Sequence, residues 1–263
     1  MPELPEVETI ARALAPRLRG RRILQARFFS PLIVAGRPKD IRTRIEGRTI
    51  RGLRRRGKFL LIEFDDGPAL TIHLGMTGAL LWDGTPGPHT RALFTLDGGR
   101  LVYDDIRQFG RIASGAGRLA RLGPEPLDIS AAELAALLAR RRGRIKPLLL
   151  DQRFLAGLGN IYADEILFRA GIHPRAVAAR LSAARVRRLH KAMREVLQAA
   201  IADRGSSISD YVDADGRQGS YQLKHRVYRK TGQPCPVCQA KIKRVVVAGR
   251  GTHYCPRCQP LTA

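Results

Sequence analysis

Apolar residues recur at helical spacing at the start of the chain. Val7, Ile10, Ala11, Leu14 and Leu18 fall at i, i+3, i+4, i+7 and i+11, and Gly20 interrupts the run. This pattern predicts an amphipathic helix over residues 2–18. From about residue 22 to 112 the signals change to short strands separated by Gly, Asp and Pro turns. Residues 58–64 precede Asp65-Asp66-Gly67, residues 69–73 follow it, 92–96 precede Asp97-Gly98-Gly99, and 100–103 come next. About a hundred residues of this kind predict a β-sandwich or barrel. Gly115, Gly117 and the string Gly123-Pro124-Glu125-Pro126 mark a boundary near residue 120.

Beyond that boundary the period is helical. Ser130 sits ahead of an apolar run over 131–142, with Glu133 at the reciprocal capping position. A Gly157-Leu158-Gly159 turn leads into a helix over 160–170, and 182–203 forms another. Strand-like pieces flank the cysteines after residue 226, and no internal repeat is present. The expected architecture is α+β, with a helix-plus-sandwich domain over 1–120, a helical domain over 121–225 and a small module over 226–263.

Composition narrows the partner. The 263 residues include 47 Lys and Arg against 23 Asp and Glu, a formal charge of +24, yet 44% are hydrophobic. That apolar content supports real cores and argues against a disordered basic chain. No apolar run reaches the roughly 18–20 residues of a membrane span, and the first thirty residues hold no signal-peptide core. A soluble intracellular protein with a polyanionic partner is expected, with nucleic acid the first candidate. The charge is uneven. After Asp215 there is no carboxylate, while ten Lys and Arg follow. Arginine richness from genomic composition explains the usage elsewhere but not a carboxylate-free tail.

That tail also carries all four cysteines, as Cys235-Pro-Val-Cys238 and Cys255-Pro-Arg-Cys258. Each C-x2-C pair places two thiolates on one side of a tight turn, and sixteen intervening residues are enough for a hairpin. Two disulfides are the alternative, but an intracellular chain favours one tetrahedral zinc. With four thiolate ligands and no open position, the zinc is structural. It stabilises a module too small to hold its own core.

The opening string Pro2-Glu3-Leu4-Pro5-Glu6-Val7-Glu8 admits two readings. Pro and Glu favour helix starts for capping reasons alone. Alternatively, removal of Met1 would expose a secondary amine able to attack an aldehyde-level carbon and form an iminium ion. The carboxylates at positions 3 and 6 would then serve as proton carriers.

This string resembles the amino terminus of the formamidopyrimidine-DNA glycosylase and endonuclease VIII family. The resemblance continues through Gly57-Lys58-Phe59-Leu60, His73-Leu74-Gly75-Met76-Thr77-Gly78, Asp105-Ile106-Arg107-Gln108-Phe109-Gly110 and Leu122-Gly123-Pro124-Glu125-Pro126-Leu127. It is completed by Gly157-Leu158-Gly159-Asn160-Ile161-Tyr162-Ala163 and the four-cysteine end. It implies a helix and β-sandwich, a helix–two-turns–helix domain and a zinc finger. It also implies a bifunctional DNA glycosylase and abasic-site lyase of the bacterial cytoplasm and nucleoid. Such an enzyme is expected to be a monomer acting on damaged double-stranded DNA.

The resemblance assigns roles position by position. Pro2 is the nucleophile, Glu3 the catalytic acid, and Glu6 a helix carboxylate that assists sugar opening. Lys58, Lys146, Asn160 and Arg250 meet phosphates. Met76, Arg107 and Phe109 fill the space left by an extruded nucleotide, as base flipping requires. On spacing alone, Met76 reads more readily as core and Phe109 as a strand aromatic. Leu4 and the residue 73–78 string favour the branch acting on oxidised purines over the pyrimidine branch. A noncatalytic zinc-containing nucleic-acid-binding protein is the reading from a different class. The match loosens at Ile106, where Pro is commoner, at residues 220–225, and at Arg229, where Gly is usual.

Overall fold

The predicted opening helix forms as α1 (Leu4–Leu18) and starts after Glu3, whose φ of −102° and ψ of −169° make it the non-helical cap. Val7, Ile10, Leu14 and Leu18 are completely buried, and each such side chain contributes roughly 1.5–3 kcal/mol. The protein is represented by a computed structural model that describes residues 1–261, the side chain of Arg118 aside. Two compact units divide the chain: Met1–Ala120 with Ile201–Gln222, and Arg121–Ala200 with Leu223–Ala263.

In the first unit α1 is followed by β1 (Ile23–Phe28), α2 (Pro38–Ile45), β2 (Ile50–Arg56), β3 (Phe59–Phe64), β4 (Leu70–His73), β5 (Gly78–Trp82), β6 (Thr90–Leu96), β7 (Gly99–Asp105) and β8 (Arg111–Ser114). They form two four-stranded sheets, ordered β1-β6-β7-β5 and β2-β3-β4-β8, with neighbouring strands antiparallel. Along β6, Thr90, Ala92, Phe94 and Leu96 point inward while the residues between them are partly exposed. This is the alternation of a sheet with one face on the core. The two sheets and α1 enclose a single apolar cluster.

Ile201–Gln222 joins this unit, although the sequence places it in the helical domain. Tyr211 and Ala214 belong to the sandwich core, and the Ala214 carbonyl accepts from the Trp82 N–H at 2.9 Å.

The second unit contains α3 (Ala131–Ala139), α4 (Ile145–Leu150), α5 (Asn160–Ala170), most of α6 (Ala183–Ala202), β9 (Lys243–Val247) and β10 (Arg250–Tyr254). The expected capping box on α3 is present. The Ser130 Oγ accepts from the Glu133 N–H at 3.2 Å, and the Glu133 carboxylate accepts from the Ser130 N–H at 2.8 Å. The turn before α5 is splinted by Gln152. Its Nε2 donates to the carbonyls of Leu150 and Leu158, and its Oε1 accepts from the Gly157 N–H.

Arg229 has φ +60°, a left-handed conformation that costs most side chains about 1–2 kcal/mol. This accounts for the glycine expected there. No helix among the described residues is long and apolar enough to cross a membrane.

Candidate active site and DNA interface

The beginning of α1 is built around Glu6. Its Oε2 accepts from the Glu3 N–H at 2.7 Å, and its Oε1 accepts from the Ser206 N–H at 2.8 Å. The Tyr211 hydroxyl donates to the Glu6 carbonyl at 3.3 Å. Burial, with the Glu6 charge nearby, pushes the Tyr211 phenol above its ordinary range, so it remains a donor. Pro2, Glu3 and Glu6 are all buried. Both Glu6 oxygens therefore hold backbone, one at the catalytic candidate Glu3 and one in the 201–222 segment. In this arrangement Glu6 positions the head of the helix. Glu8 points elsewhere. Burial would raise its pKa, but hydrogen bonds from Arg55 and Arg12 hold it below the usual carboxylate range.

Lys58 lies in the two-residue turn between the paired residues Arg56 and Phe59 and is 6% exposed. Its charge reaches the chain's first amine. That amine is pushed below its ordinary value first by burial and further by Lys58, while Glu3, Glu6 and Asp210 oppose the shift.

A second constellation projects from two loops of the same unit. Met76 and Phe109 are 41% and 51% exposed. The Arg107 guanidinium lies 4.7 Å from the Phe109 ring centroid, and its Nη1 is 3.4 Å from the Met76 sulfur. The structure thus gathers all three expected wedge residues.

What fixes them is Asp105, fully buried and absent from the sequence-derived candidates. Its Oδ1 accepts from the Thr77 hydroxyl at 2.6 Å; its Oδ2 accepts from the Gly110 N–H at 2.8 Å and from the Tyr103 hydroxyl at 3.3 Å. The two loops touch at Gly75, where φ is +63° and a Cβ would lie 2.5 Å from the Gly110 nitrogen. Only glycine permits that approach.

In the second unit Asn160 opens α5, a position that presents backbone N–H groups and the positive end of a helix. Its Nδ2 donates to the Gly251 carbonyl at 3.0 Å. Arg250 is exposed at the start of β10, after a two-residue turn in which Ala248 and Gly249 have φ +48° and +71°.

Lys146 corrects the sequence reading. It is fully buried and donates to Asp164 at 2.6 Å, to the Thr252 hydroxyl at 2.8 Å and to the Gly251 carbonyl at 3.3 Å. A buried charge needs such a partner. Its ammonium is turned inward to the zinc hairpin, whereas the phosphate role expected from the sequence calls for an exposed cation. The other Asp164 oxygen accepts from the His253 N–H at 2.9 Å. Its neighbour Glu165 accepts from the N–H groups of Arg226, Val227 and Tyr228.

The four cysteines are free, with all Sγ atoms within 4.8 Å of one another. Cys235 and Cys258 are 3.8 Å apart and Cys238 and Cys255 3.4 Å apart, Sγ to Sγ. Thiolates bound tetrahedrally at about 2.3 Å from zinc would be about 3.8 Å apart, whereas a disulfide is about 2.05 Å long. The donor set fits one zinc ion. N–H groups of Val237 and Cys258 point at the sulfurs of Cys235 and Cys255, the outer-shell support expected around thiolate ligands.

Three family models match in chain order. They are the formamidopyrimidine-DNA glycosylase N-terminal domain over residues 1–112, its H2TH domain over 122–212, and a zinc finger found in FPG and IleRS over 232–261. The chain is 54% identical over 263 residues to the formamidopyrimidine-DNA glycosylase of Solibacter usitatus, covering 98% of this chain and 99% of that one. The chain belongs to the formamidopyrimidine-DNA glycosylase family. Its fold agrees: the crystal structure of the MutM (FPG) protein from Thermus thermophilus superposes with a TM-score of 0.90 at 43% identity, covering 100% of both chains. A complex of Lactococcus lactis Fpg with DNA containing an abasic site gives 0.90 at 37% identity, over 98% of this chain and 99% of that one.

Within the family frame, the residues that sequence reasoning missed are the ones that hold the others. Asp105 is visible in the sequence as the first residue of the 105–110 string. Asp164, Tyr211 and Ser206 carry no local signal, because their partners lie far away in sequence.

Proposed function

We propose that the protein is a bifunctional DNA glycosylase and abasic-site lyase that removes oxidised purines from duplex DNA. The observation that carries this reading is the buried Pro2-Glu3 pair clasped by Glu6 at the head of α1. Relatives supply the substrate class. Lactococcus lactis Fpg has been captured with DNA containing an abasic site, and a point mutant of it with DNA containing Fapy-dG.

Once Met1 is removed, the Pro2 nitrogen adds to the C1′ carbon of a flipped nucleotide. The damaged base leaves with the electron pair of its glycosidic bond and a proton. The sugar ring opens to an iminium, with Glu3 moving the proton at the ring oxygen. Loss of a C2′ proton then breaks the C3′–oxygen bond, and loss of a C4′ proton breaks the C5′–oxygen bond. Lys58, Asn160 and Arg250 would hold phosphates. Met76 and Phe109 would offset lost stacking while Arg107 donates to the orphaned base. Zinc supplies cross-linking only, because four thiolates complete its tetrahedron.

The test is borohydride trapping on duplexes that each carry one defined lesion. Adducts are expected with 8-oxoguanine, formamidopyrimidine and abasic sites. Trapping confined to oxidised pyrimidines would move the assignment to the endonuclease VIII branch, and no adduct with any duplex would remove the enzyme.

The amine's environment predicts a pH dependence. Addition requires the free base, and the Met1 amine that precedes Pro2 is already held below its ordinary value by burial and by the Lys58 charge. Pro2 is itself buried, and burial beside a cation disfavours the protonated form of an amine. The single-turnover trapping rate on an abasic duplex should rise with pH as the amine loses its proton. Lys58→Met removes a neighbouring cation, so the midpoint should move to higher pH. An unmoved midpoint would refute the coupling.

A further inference from the structure

The zinc hairpin carries a second exposed arginine besides Arg250. Arg244 lies on β9 opposite His253 and is exposed. It has no ion-pair partner among the described residues, and no carboxylate follows Asp215 in the sequence. Its guanidinium rests against Gly251: a Cβ at residue 251 would lie 2.9 Å from Nη2 and 3.1 Å from Nε. The absence of a side chain there gives the guanidinium its seat.

Gly251 is also the residue by which the hairpin is tied to another candidate phosphate donor. Arg250 precedes it in the chain, and Asn160 donates to its carbonyl at 3.0 Å. Behind it, the same carbonyl accepts from buried Lys146, which Asp164 neutralises. The hairpin backbone is therefore pinned to α5 at the residue against which the Arg244 guanidinium rests. An exposed guanidinium without a carboxylate, seated on a pinned backbone, is suited to a phosphate oxygen.

We propose that Arg244 is a phosphate-binding residue of this family member, seated by Gly251 and gripping the DNA backbone independently of sequence and damage. The inference rests on the DNA-repair reading of the same chain. Its function is to raise residence on any duplex, leaving the reacting atoms untouched.

The experiment measures the salt dependence of binding to a fluorescent duplex with one abasic-site analogue and to the undamaged duplex. Removing one phosphate contact should reduce the slope of log K against log salt by about 0.9. Arg244→Gln is expected to show that reduction on both duplexes and to weaken binding several-fold at about 0.15 M salt. The single-turnover trapping rate at saturating DNA should be unchanged, and Arg244→Lys should retain most of the slope. Gly251→Ala, which displaces the guanidinium, should reproduce part of the loss. Zinc content and melting temperature identify any variant that merely misfolds. Absence of salt-dependent binding by the unmodified protein would sink the DNA reading itself. A normal slope for correctly folded Arg244→Gln, or a loss confined to the damaged duplex, would overturn this proposal alone.

Discussion

Threonine in place of Pro2 is expected to lower the borohydride-trapped adduct on an abasic duplex by about a hundredfold or more, while duplex affinity stays within about twofold. The reasoning separates nucleophile from grip. Threonine still permits Met1 removal, but it replaces a secondary ring amine with a primary one on a freer backbone. A secondary amine gives an iminium that is positively charged by construction. A primary amine gives an imine that must be protonated before it can act as an electron sink. Proline also fixes φ near −65°, and displacement of a reacting atom by about 1 Å is enough to cost a factor of about 10². Glu3 and Glu6 remain in place, since Glu6 holds the Glu3 N–H and Ser206 N–H through its own carboxylate.

A second variant separates the amine's position from its chemistry. An alanine inserted between Met1 and Pro2 displaces the terminal amine by about 3.8 Å of chain and should also abolish trapping. Affinity should survive in both, because the exposed wedge and the zinc hairpin are untouched. Full trapping by either variant would refute Pro2 as nucleophile.

The parts of this architecture that are readable in sequence are those with short-range causes. The apolar stripe of α1, the strands between Gly and Asp turns and the paired C-x2-C knuckles each follow from spacing within about twenty residues. Two short helices leave no such trace. In α2 only Ile41 and Ile45 are buried among charged neighbours. In α4, six residues long, Pro147 reads as a breaker although it sits in the first turn, where a missing N–H costs nothing.

The larger misses are long-range. Lys146 meets Asp164 eighteen positions away and Thr252 more than a hundred away, so its burial cannot be inferred from a basic neighbourhood. The 201–222 segment joins the sandwich through Tyr211 and Ala214, whose partners lie near the amino terminus and in β5. Residue identity pointed to the groups proposed to react. The groups that aim them were hidden by chain separation.

Removing zinc should produce the largest loss of DNA binding. The segment carrying the four cysteines shares its apolar cluster with little besides Phe168: the other buried members are Val227, Cys235, Ile242 and Cys255. So small a core cannot hold a hairpin alone, and the metal's binding free energy becomes the module's folding free energy. Chelation, or Cys238→Ser, should therefore melt β9 and β10 and release both Arg250 and Arg244 from their fixed positions. The Lys146–Asp164 pair would lose Thr252 and the Gly251 carbonyl as neighbours. The buried ion pair would then face a cavity or water, so destabilisation should spread into α4 and α5.

Losing several phosphate contacts together predicts a fall in duplex affinity of about 10² or more at about 0.1 M salt, with a shallower salt slope. The first unit has its own core, so its strand signal in circular dichroism should persist. At low salt and high protein concentration, residual trapping on abasic DNA should remain, because Pro2 and Glu3 lie outside the metal module. Acidification should mimic chelation, since protonated thiols release the ion. If zinc loss is verified and affinity is undiminished, the module is not the grip. Loss of residual trapping in parallel with the first unit's strand signal would mean that the two units do not fold separately.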